Sequence, residues 1–329
     1  MKKRLLITGA SGFLGFHLIR AALDKNLEVY ANVRTRSNID HLKALPIHFV
    51  QLDFSSILLL KQSIEENKYD YIIHALGVTK AKNVGEYIKI NADYTQHLAL
   101  ASVLGSHKLE KFVFISSLAA LGALDTLEGQ LDEQVIRRPM TSYGTSKAIA
   151  EMQLERLGDL PLIVFRPTAV YGPRERSLLM LIKMLRLGLN VHIGRKTQHL
   201  SFVYAEDLAQ VVINSLKTSI SKRTYNVSDG ETYHPMAFAT GVLKAMNKKA
   251  LSLTLPISLV NGMIWFIQKG YSLFKRTPTI NVEKLKEITA SNWSCNIRNL
   301  NTDFNIEKWT SLEEGLLKTI NWYKLNKWL

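Results

Sequence analysis

The sequence predicts an α/β fold in which a doubly wound parallel sheet is followed by a smaller, mostly helical C-terminal lobe. In the first 170 residues, short β-rich runs alternate with longer helical patterns across short loops, as in strand–helix–strand units. The first run, Arg4–Ile7, is mostly apolar, as expected of a strand buried on both faces of a sheet. The 329 residues are 47% hydrophobic and 21% charged, which excludes a wholly disordered chain.

The elements are predicted in chain order. Strands are expected at Arg4–Ile7, Glu28–Val33, Ile47–Gln51, Tyr71–His74, Lys111–Ser116 and Leu162–Arg166. Helices are expected at Phe13–Leu23, Ser56–Glu66, Ile90–Leu104 and Tyr143–Leu157. Beyond Arg166 the alternation loosens, with helices expected at Leu178–Leu187 and Ala205–Leu216, a strand at Thr224–Val227, and mostly helices from His234 onward. We therefore expect residues 1–173, with 200–230 returning to them, to form the sheet domain, and residues 174–199 and 231–329 to form the lobe.

The chain has a formal charge of +14, from 42 Lys and Arg against 28 Asp and Glu. Half of this excess lies between Lys244 and Leu329, which holds 13 basic and 6 acidic residues. A basic surface attracts phosphate-bearing ligands, anionic lipid head groups or nucleic acid, although an ordinary solvated surface explains it equally well. The single cysteine, Cys295, excludes an intramolecular disulfide and indicates a reducing compartment. We expect a cytoplasmic protein, with membrane association left open.

An uncharged stretch from Ala250 to Gln268 spans 19 residues, near the minimum length for a membrane span. A proline, an asparagine and a glycine interrupt it, so its apolar content is low for a transmembrane helix. We expect a buried or substrate-lining helix pair here. The alternative is a helix that lies on a membrane surface, helped by the basic residues that follow it.

A glycine-rich segment at residues 8–15 joins the first predicted strand to the first predicted helix. Diphosphate binding needs backbone N–H groups at close range and the positive end of a helix dipole, and side chains would block that approach. Gly9, Gly12 and Gly15 meet this need, although their spacing of three and three differs from that of the usual dinucleotide fingerprint. The segment predicts a dinucleotide-binding turn made of Thr8, Gly9, Ser11, Gly12, Phe13, Leu14 and Gly15.

Tyr143 and Lys147 lie four residues apart in a predicted helix, so their side chains share one helix face. A free phenol has a pKa of about 10, and a nearby ammonium is expected to lower it. Such a phenol suits general acid–base work on a substrate hydroxyl or carbonyl. Ser116 and Ser117 come at the end of a predicted strand, where open α/β sheets bind ligands.

These motifs resemble those of the extended short-chain dehydrogenase/reductase family, also called the NAD-dependent epimerase/dehydratase family. The similar segments are TGASGFLG at 8–15, SSLAALG at 116–122, YGTSK at 143–147, RPTAVYGP at 166–173 and FVYAEDLA at 202–209. The resemblance covers nearly the whole chain and implies an NAD(P)-binding Rossmann fold and hydride transfer to or from a carbonyl or hydroxyl carbon. It also implies three catalytic residues: Ser117 polarises the substrate oxygen, Tyr143 moves the proton, and Lys147 holds the ribose and tunes the tyrosine.

The end of the second predicted strand indicates which nicotinamide cofactor to expect. An acid there binds the ribose hydroxyls of NAD, whereas an arginine accommodates the 2′-phosphate of NADP. Arg34 follows the strand, Arg36 is close behind, and no acid ends the strand, so NADP is favoured over NAD. The segment is similar to that of the dihydroflavonol-reductase-like branch. The resemblance implies further cofactor contacts at Asp53, Phe54, Ala75, Leu76, Gly77, Ser116, Tyr143, Lys147, Arg166 and Pro167.

Four positions also have expected structural roles. Asp53 is expected beside the adenine ring and also as the N-cap of the next helix. Asn91 matches the family's asparagine at the start of a long interface helix. Asp207 is expected near the start of a helix, where it would satisfy backbone donors, while Ser116 is expected to serve the backbone.

Within the family the outcome is reduction, 4-epimerisation or dehydration. Arg34 and the uncharged 250–268 stretch favour a reductase of a lipid-like substrate, and the tail resembles the 3β-hydroxysteroid-dehydrogenase-like and hopanoid-associated branches at Pro278, Trp293 and Ser311–Gly315. The alternative is a nucleotide-sugar 4-epimerase or dehydratase with tightly bound NAD, although Leu121 replaces a tyrosine that often belongs to the sugar-nucleotide pocket.

A non-catalytic nucleotide- or RNA-binding protein is an alternative of another class, supported only by the positive charge. The catalytic motifs favour a small-molecule substrate and no nucleic acid. His74 and His199 have no carboxylate or cysteine neighbours at ligand spacing, so no metal site is expected. A monomer and a homodimer both stay open.

Overall fold

The computed structural model describes residues 2–194, 197–264 and 282–329. Its central sheet consists of β1 (Arg4–Thr8), β2 (Glu28–Asn32), β3 (His48–Val50), β4 (Tyr71–His74), β5 (Lys111–Ile115), β6 (Leu162–Pro167) and β10 (Arg223–Val227). All seven strands are parallel, in the order β10-β6-β5-β4-β1-β2-β3. The strand order reverses between β1 and β4, which is where doubly wound sheets bind ligands. The predicted α/β fold is confirmed.

Two small parallel sheets pair β7 (Ala169–Tyr171) with β9 (Phe202–Tyr204), and β8 (Leu189–Ile193) with β11 (Leu251–Leu255). The helices are α1 (Phe13–Asp24), α2 (Ile57–Asn67), α3 (Val84–Ile88), α4 (Tyr94–Leu104), α5 (Ser142–Glu155), α6 (Leu179–Arg186), α7 (Ala205–Ser215), α8 (Ala237–Met246), α9 (Val282–Ile288), α10 (Arg298–Phe304) and α11 (Leu312–Leu325). A π-helix (Lys89–Asp93) precedes α4, a 3₁₀ turn (Leu118–Ala120) follows β5, and residues 257–264 are also helical.

Apolar cores cover both faces of the central sheet. Leu5 of β1 packs in one core with Leu18 of α1 and Val212 of α7, whereas its neighbour Leu6 packs in the other with Leu98 of α4. Successive side chains of a strand point to opposite faces, so a strand covered on both sides is apolar at consecutive positions. This arrangement explains the apolar run that begins the chain.

A third core joins β7 and β9 to α8 and α11 through Tyr171, Phe202, Phe238 and Leu316. The segment around Cys295 and Leu300 instead belongs to the core that covers the central sheet. Part of the range expected to form the lobe therefore packs on the sheet. The division into residues 1–173 with 200–230, and 174–199 with 231–329, stays a prediction.

The expected helix pair at residues 250–268 is wrong in its first part. Leu251–Leu255 forms strand β11, paired in register with β8, while residues 257–264 are helical and residues 265–268 lie outside the described ranges. The sequence LSLTL alternates apolar and polar residues with the period of a strand. The lack of charge over residues 250–268 favoured a buried helix instead. No helix in the described part of the chain is long and apolar enough to cross a bilayer.

Candidate active site

Helix α1 begins immediately after the glycine-rich turn, with Gly12 as N-cap, no capping side chain and no acid in its first turn. Gly9 has a φ of 69°, and a Cβ there would lie 2.6 Å from the Ala75 carbonyl oxygen. A Cβ at Gly15 would lie 2.3 Å from the Gly9 carbonyl oxygen. Both positions therefore need glycine, and the first N–H groups of α1 lack a capping side chain. Such a cradle fits the diphosphate of a dinucleotide.

A buried chain of hydrogen bonds runs from Thr95 through His74 to Thr8, at the start of the glycine-rich turn. Thr95 Oγ1 donates to the Asn91 carbonyl oxygen at 2.8 Å, so at 3.0 Å it accepts from His74 Nε2. His74 Nδ1 then accepts from Thr8 Oγ1 at 2.9 Å, and Thr8 Oγ1 accepts from the backbone N–H of Leu76 at 3.2 Å. Burial lowers the pKa of His74 to about 3, so the ring is neutral. These hydrogen bonds join the end of β1 to the end of β4, and both strand ends border the cradle.

The loop after β4 brings the predicted Gly77 close to the predicted lysine. A Cβ at Gly77 would lie 3.2 Å from Asn91 Oδ1 and 3.4 Å from Lys147 Nζ. Asn91, in the π-helix, accepts from Val78 N–H at 2.8 Å and donates to Ser146 Oγ at 2.9 Å. Asn91 thus joins this loop to α5, whereas the expectation for it was the start of a long interface helix.

Helix α5 carries Tyr143 and Lys147 one turn apart. Ser117 follows β5 and accepts from Ala119 N–H at 3.2 Å, and its side chain lies close enough to Tyr143 to favour the phenolate. Lys147 Nζ donates to the Ile115 carbonyl oxygen at 2.8 Å and lies 4.7 Å from the ring centroid of Phe114. The structure therefore brings the three predicted catalytic side chains to the end of one strand, β5.

Burial shifts the pKa values of Tyr143 and Lys147 in different directions. It raises the pKa of Tyr143 to about 12, against the lowering effect of the nearby Ser117 side chain. It lowers the pKa of Lys147 to about 8, against the raising effect of Glu151. The expectation of a lowered phenol pKa is thus wrong for this structure, because desolvation disfavours the phenolate more than its partners favour it.

Glu151, one further turn along α5, is a site residue that the sequence did not single out. Its fully buried carboxylate accepts from Arg166 Nη2 at 2.7 Å, from Arg137 Nε at 2.9 Å and from Ser116 Oγ. Ser116 therefore does not serve the backbone as expected. The Arg166 side chain is 2% exposed, so we expect it to hold Glu151 rather than a ligand. The spacing of four residues between Lys147 and Glu151 was the only sequence signal for Glu151.

The end of β2 is open and basic. Arg34 and Arg36 are both exposed there, and the sequence holds no acid between Glu28 and Asp40. Asp53 is exposed as well, but it is not the N-cap of α2: it accepts from Ser55 N–H at 2.9 Å, and the neighbouring Ser56 caps the helix.

The remaining predicted cofactor residues lie along the same edge. Phe54 is buried and stacks on Tyr94 with 5.8 Å between ring centroids. Pro167 is buried at the end of β6, and Ser11, Phe13, Leu14, Ala75 and Leu76 are partly exposed. Asp207 lies in the first turn of α7, but its carboxylate accepts from Thr310 N–H at 2.7 Å and from Thr310 Oγ1. It therefore fixes the segment before α11 rather than its own helix.

A model of the NAD dependent epimerase/dehydratase family matches residues 5–228, which include the glycine cradle, Ser117, Tyr143 and Lys147. This chain belongs to the NAD-dependent epimerase/dehydratase family. The family comprises NAD-dependent oxidoreductases, epimerases and dehydratases of the extended short-chain type. The prediction of an enzyme is therefore confirmed, and the alternative of a purely nucleotide- or RNA-binding protein is set aside.

Similar proteins in the family have different activities. The chain is 24% identical to the dTDP-D-glucose 4,6-dehydratase of Bos taurus, over 98% of this chain and 89% of that protein. It is 23% identical to the ceramide reductase of Caulobacter vibrioides, over 98% of this chain and 95% of that protein. The UDP-glucuronic acid 4-epimerase of Bacillus cereus, solved with UDP-glucuronic acid and NAD, matches with a TM-score of 0.78 at 21% identity, over 98% of this chain and 99% of that one. At this identity the structural likeness shows the shared fold, and the narrower branch stays a prediction.

Proposed function

We propose that this protein is an NAD(P)-dependent reductase that converts a carbonyl group of a hydrophobic substrate into a hydroxyl. The observation that carries the proposal is that Ser117, Tyr143 and Lys147 come together at the carboxyl end of the parallel strand β5, where Lys147 Nζ donates to the Ile115 carbonyl oxygen at 2.8 Å. Ligands bind at this end of such sheets. Because the pKa of Tyr143 is about 12, its phenol is protonated at neutral pH and available as a proton donor. Reduction is the direction of the reaction that needs this donor.

The three side chains divide the work. When a nicotinamide is bound, it supplies the hydride. Tyr143 Oη donates the accompanying proton to the substrate oxygen, and Ser117 Oγ donates a hydrogen bond to the same oxygen. Lys147, with a pKa of about 8, is mostly charged at neutral pH, and its ammonium favours the phenolate left after proton transfer. Hydride and proton together convert the carbonyl into an alcohol.

We assign the cofactor to the cradle at residues 8–15 and to the loop at 75–77, and we favour NADP. Arg34 and Arg36 are exposed where the adenosine 2′-phosphate is read in such folds, and no acid is present there to bind the ribose hydroxyls of NAD. The crystal structure of the B. cereus epimerase contains NAD. The preference for NADP therefore rests on the residues of this chain at the end of β2.

The substrate is proposed to be lipid-like. Leu121, which is buried, stands where the resemblance expects a tyrosine of the sugar-nucleotide pocket. The likeness to a ceramide reductase extends over nearly the whole chain. Residues 1–173 with 200–230 would hold the cofactor, and residues 174–199 and 231–329 would supply most substrate contacts.

A nucleotide-sugar 4-epimerase or dehydratase is the second candidate. It is favoured by the likeness to the B. taurus dehydratase and to the B. cereus epimerase with its UDP-sugar. The net charge of +14 would also suit a diphosphate-bearing substrate.

The two candidates differ in their use of cofactor. The purified protein should be mixed with NADPH and either long-chain keto-amides and ketones or UDP- and dTDP-sugars, while NADPH absorbance and products are followed. The proposal predicts one NADPH consumed per alcohol formed from an apolar ketone. Conversion of a nucleotide sugar with no net change in NADPH or NADH would overturn it in favour of the second candidate, because epimerases and dehydratases regenerate their cofactor.

A further inference from the structure

The two-stranded sheet of β8 and β11 exposes leucines on one face. Leu189 and Leu251 are register partners, so their side chains lie on the same face, and Leu253 follows on that face two residues later. Leu251 is 66% exposed, Leu253 is 42% exposed and Leu189 is 41% exposed. Leu187, which precedes β8, is 75% exposed. We call these four side chains the leucine patch. Exposed apolar side chains grouped in this way indicate an interaction surface.

Basic side chains border the leucine patch. Lys183 and Arg186 at the end of α6, and Lys248 and Lys249 before β11, are all exposed. Lys248 Nζ donates to the Arg186 carbonyl oxygen at 2.9 Å, which places the two basic segments side by side. The exposed ammonium and guanidinium groups therefore lie at one end of the leucine patch.

The two chain segments that carry the patch contain no acid in their sequence. Residues 176–205 and 232–282 hold no Asp or Glu and together contain eleven Lys and Arg. A protein partner or a second copy of this chain would need a matching acidic apolar surface. An anionic bilayer offers negative head groups above hydrocarbon over its whole area, in the same arrangement as this face.

We propose that the leucine patch and its basic border dock this enzyme on an anionic lipid bilayer. The leucines enter the head-group layer, and Lys183, Arg186, Lys248 and Lys249 pair with lipid phosphates. Docking involves neither the glycine cradle nor Tyr143, so it goes beyond the proposed reaction and does not depend on it. A lipid-like substrate would meet the enzyme at this surface.

The test is co-sedimentation of the full chain with vesicles of phosphatidylcholine alone or mixed with phosphatidylglycerol. We expect binding to the mixed vesicles only, weakened by added salt because the charge attraction is screened. The double variants Leu187→Ser/Leu251→Ser and Lys248→Glu/Lys249→Glu should each bind roughly tenfold or more weakly, since each removes part of the apolar or the charge contribution.

Two controls carry the same kinds of substitution, each as a single change at an exposed position elsewhere. Leu58→Ser on α2, where the side chain is 73% exposed, and Lys217→Glu after α7 should bind vesicles like the unchanged protein. Circular dichroism and NADPH titration show that each variant is folded and binds cofactor. Failure of the unchanged protein to bind mixed vesicles, or equal loss in patch and control variants, would overturn the proposal. So would a dimer seen by light scattering that Leu251→Ser disrupts without any vesicle binding.

Discussion

Arg166 and Glu151 form a fully buried ion pair beneath the candidate catalytic residues. Arg166 Nε donates to both carboxylate oxygens, at 3.0 and 3.1 Å, and Nη2 donates to one of them at 2.7 Å. The pair joins β6 to α5, and through Ser116 it also joins the end of β5. Glu151 therefore fixes the two elements that carry Ser117 and Tyr143, and its charge acts on Lys147.

Glu151→Gln should lower both stability and the pKa of Lys147. Loss of one partner of a buried pair leaves Arg166 uncompensated and costs about 3–5 kcal/mol of unfolding free energy. Glu151 raises the pKa of Lys147, so its neutralisation should move the alkaline limb of kcat/KM to lower pH. Denaturant titration and a pH profile measure the two effects.

Glu155→Gln is the matched control, because Glu155 is a half-exposed partner of Arg137 on the same helix. Exposed pairs contribute about 0–1 kcal/mol, so this variant should keep its stability and pH profile. An unshifted alkaline limb in Glu151→Gln would reduce Glu151 to a purely structural residue.

Gly15→Ala should disrupt the cradle. The added Cβ would lie 2.3 Å from the Gly9 carbonyl oxygen and 2.7 Å from that of Ala10, so backbone must move. Overpacking of this kind costs about 1–3 kcal/mol, and NADPH affinity should fall by calorimetric titration. Gly158→Ala adds the same methyl where nothing lies within 4 Å, and it should bind NADPH normally. Equal affinities in the two variants would argue against the cradle.

Arg34→Ala tests the choice of cofactor. A hydrogen bond to a charged group contributes about 1.5–3 kcal/mol. Loss of this free energy corresponds to a fall in NADPH affinity of roughly tenfold to a hundredfold. NADH lacks the 2′-phosphate and serves as the internal control, with affinity unchanged. A parallel loss for both cofactors, or none for NADPH, would remove Arg34 from the phosphate site.

His74 should stay neutral far below the usual histidine range. Its pKa falls from 6.5 to about 3 on folding, so its contribution to stability is complete above pH 6.5 and is lost as the pH falls below that value, when the unfolded chain binds the proton. This loss is about 1.4 kcal/mol per pH unit for one proton. ¹³C-histidine NMR, assigned with His74→Gln, should show no His74 titration down to pH 4. An inflection near pH 6.5 would mean that the hydrogen bonds from His74 to Thr8 and Thr95 are not formed.

The sequence predicts the sheet and the Tyr143–Lys147 pair because both depend on local periodicity. Each predicted strand of the central sheet begins and ends within a residue or two of its predicted bounds. The spacing of four residues places Tyr143 and Lys147 on one helix face. By contrast, β8 and β11 pair across more than fifty residues, and no local pattern indicates such partners.

Polar side chains were harder to place because their partners are distant in sequence. Asp207 binds Thr310 rather than its own helix, and Glu151 looks like an ordinary helix-surface acid until Arg166 and Arg137 are seen beside it. The raised pKa of Tyr143 could not be predicted for a related reason: the sequence shows the neighbouring charge of Lys147, but it does not show how deeply the phenol is buried.

The reductase account depends most on proton donation by Tyr143, and Tyr143→Phe tests it directly. Single-turnover oxidation of bound NADPH by an apolar ketone should slow by about a hundredfold or more, while NADPH affinity stays unchanged. Tyr87→Phe, whose hydroxyl donates to the Thr79 carbonyl oxygen, is the nearby control and should retain the rate. Unchanged hydride transfer in Tyr143→Phe would contradict the account, as would loss of NADPH binding with an intact rate at saturating cofactor.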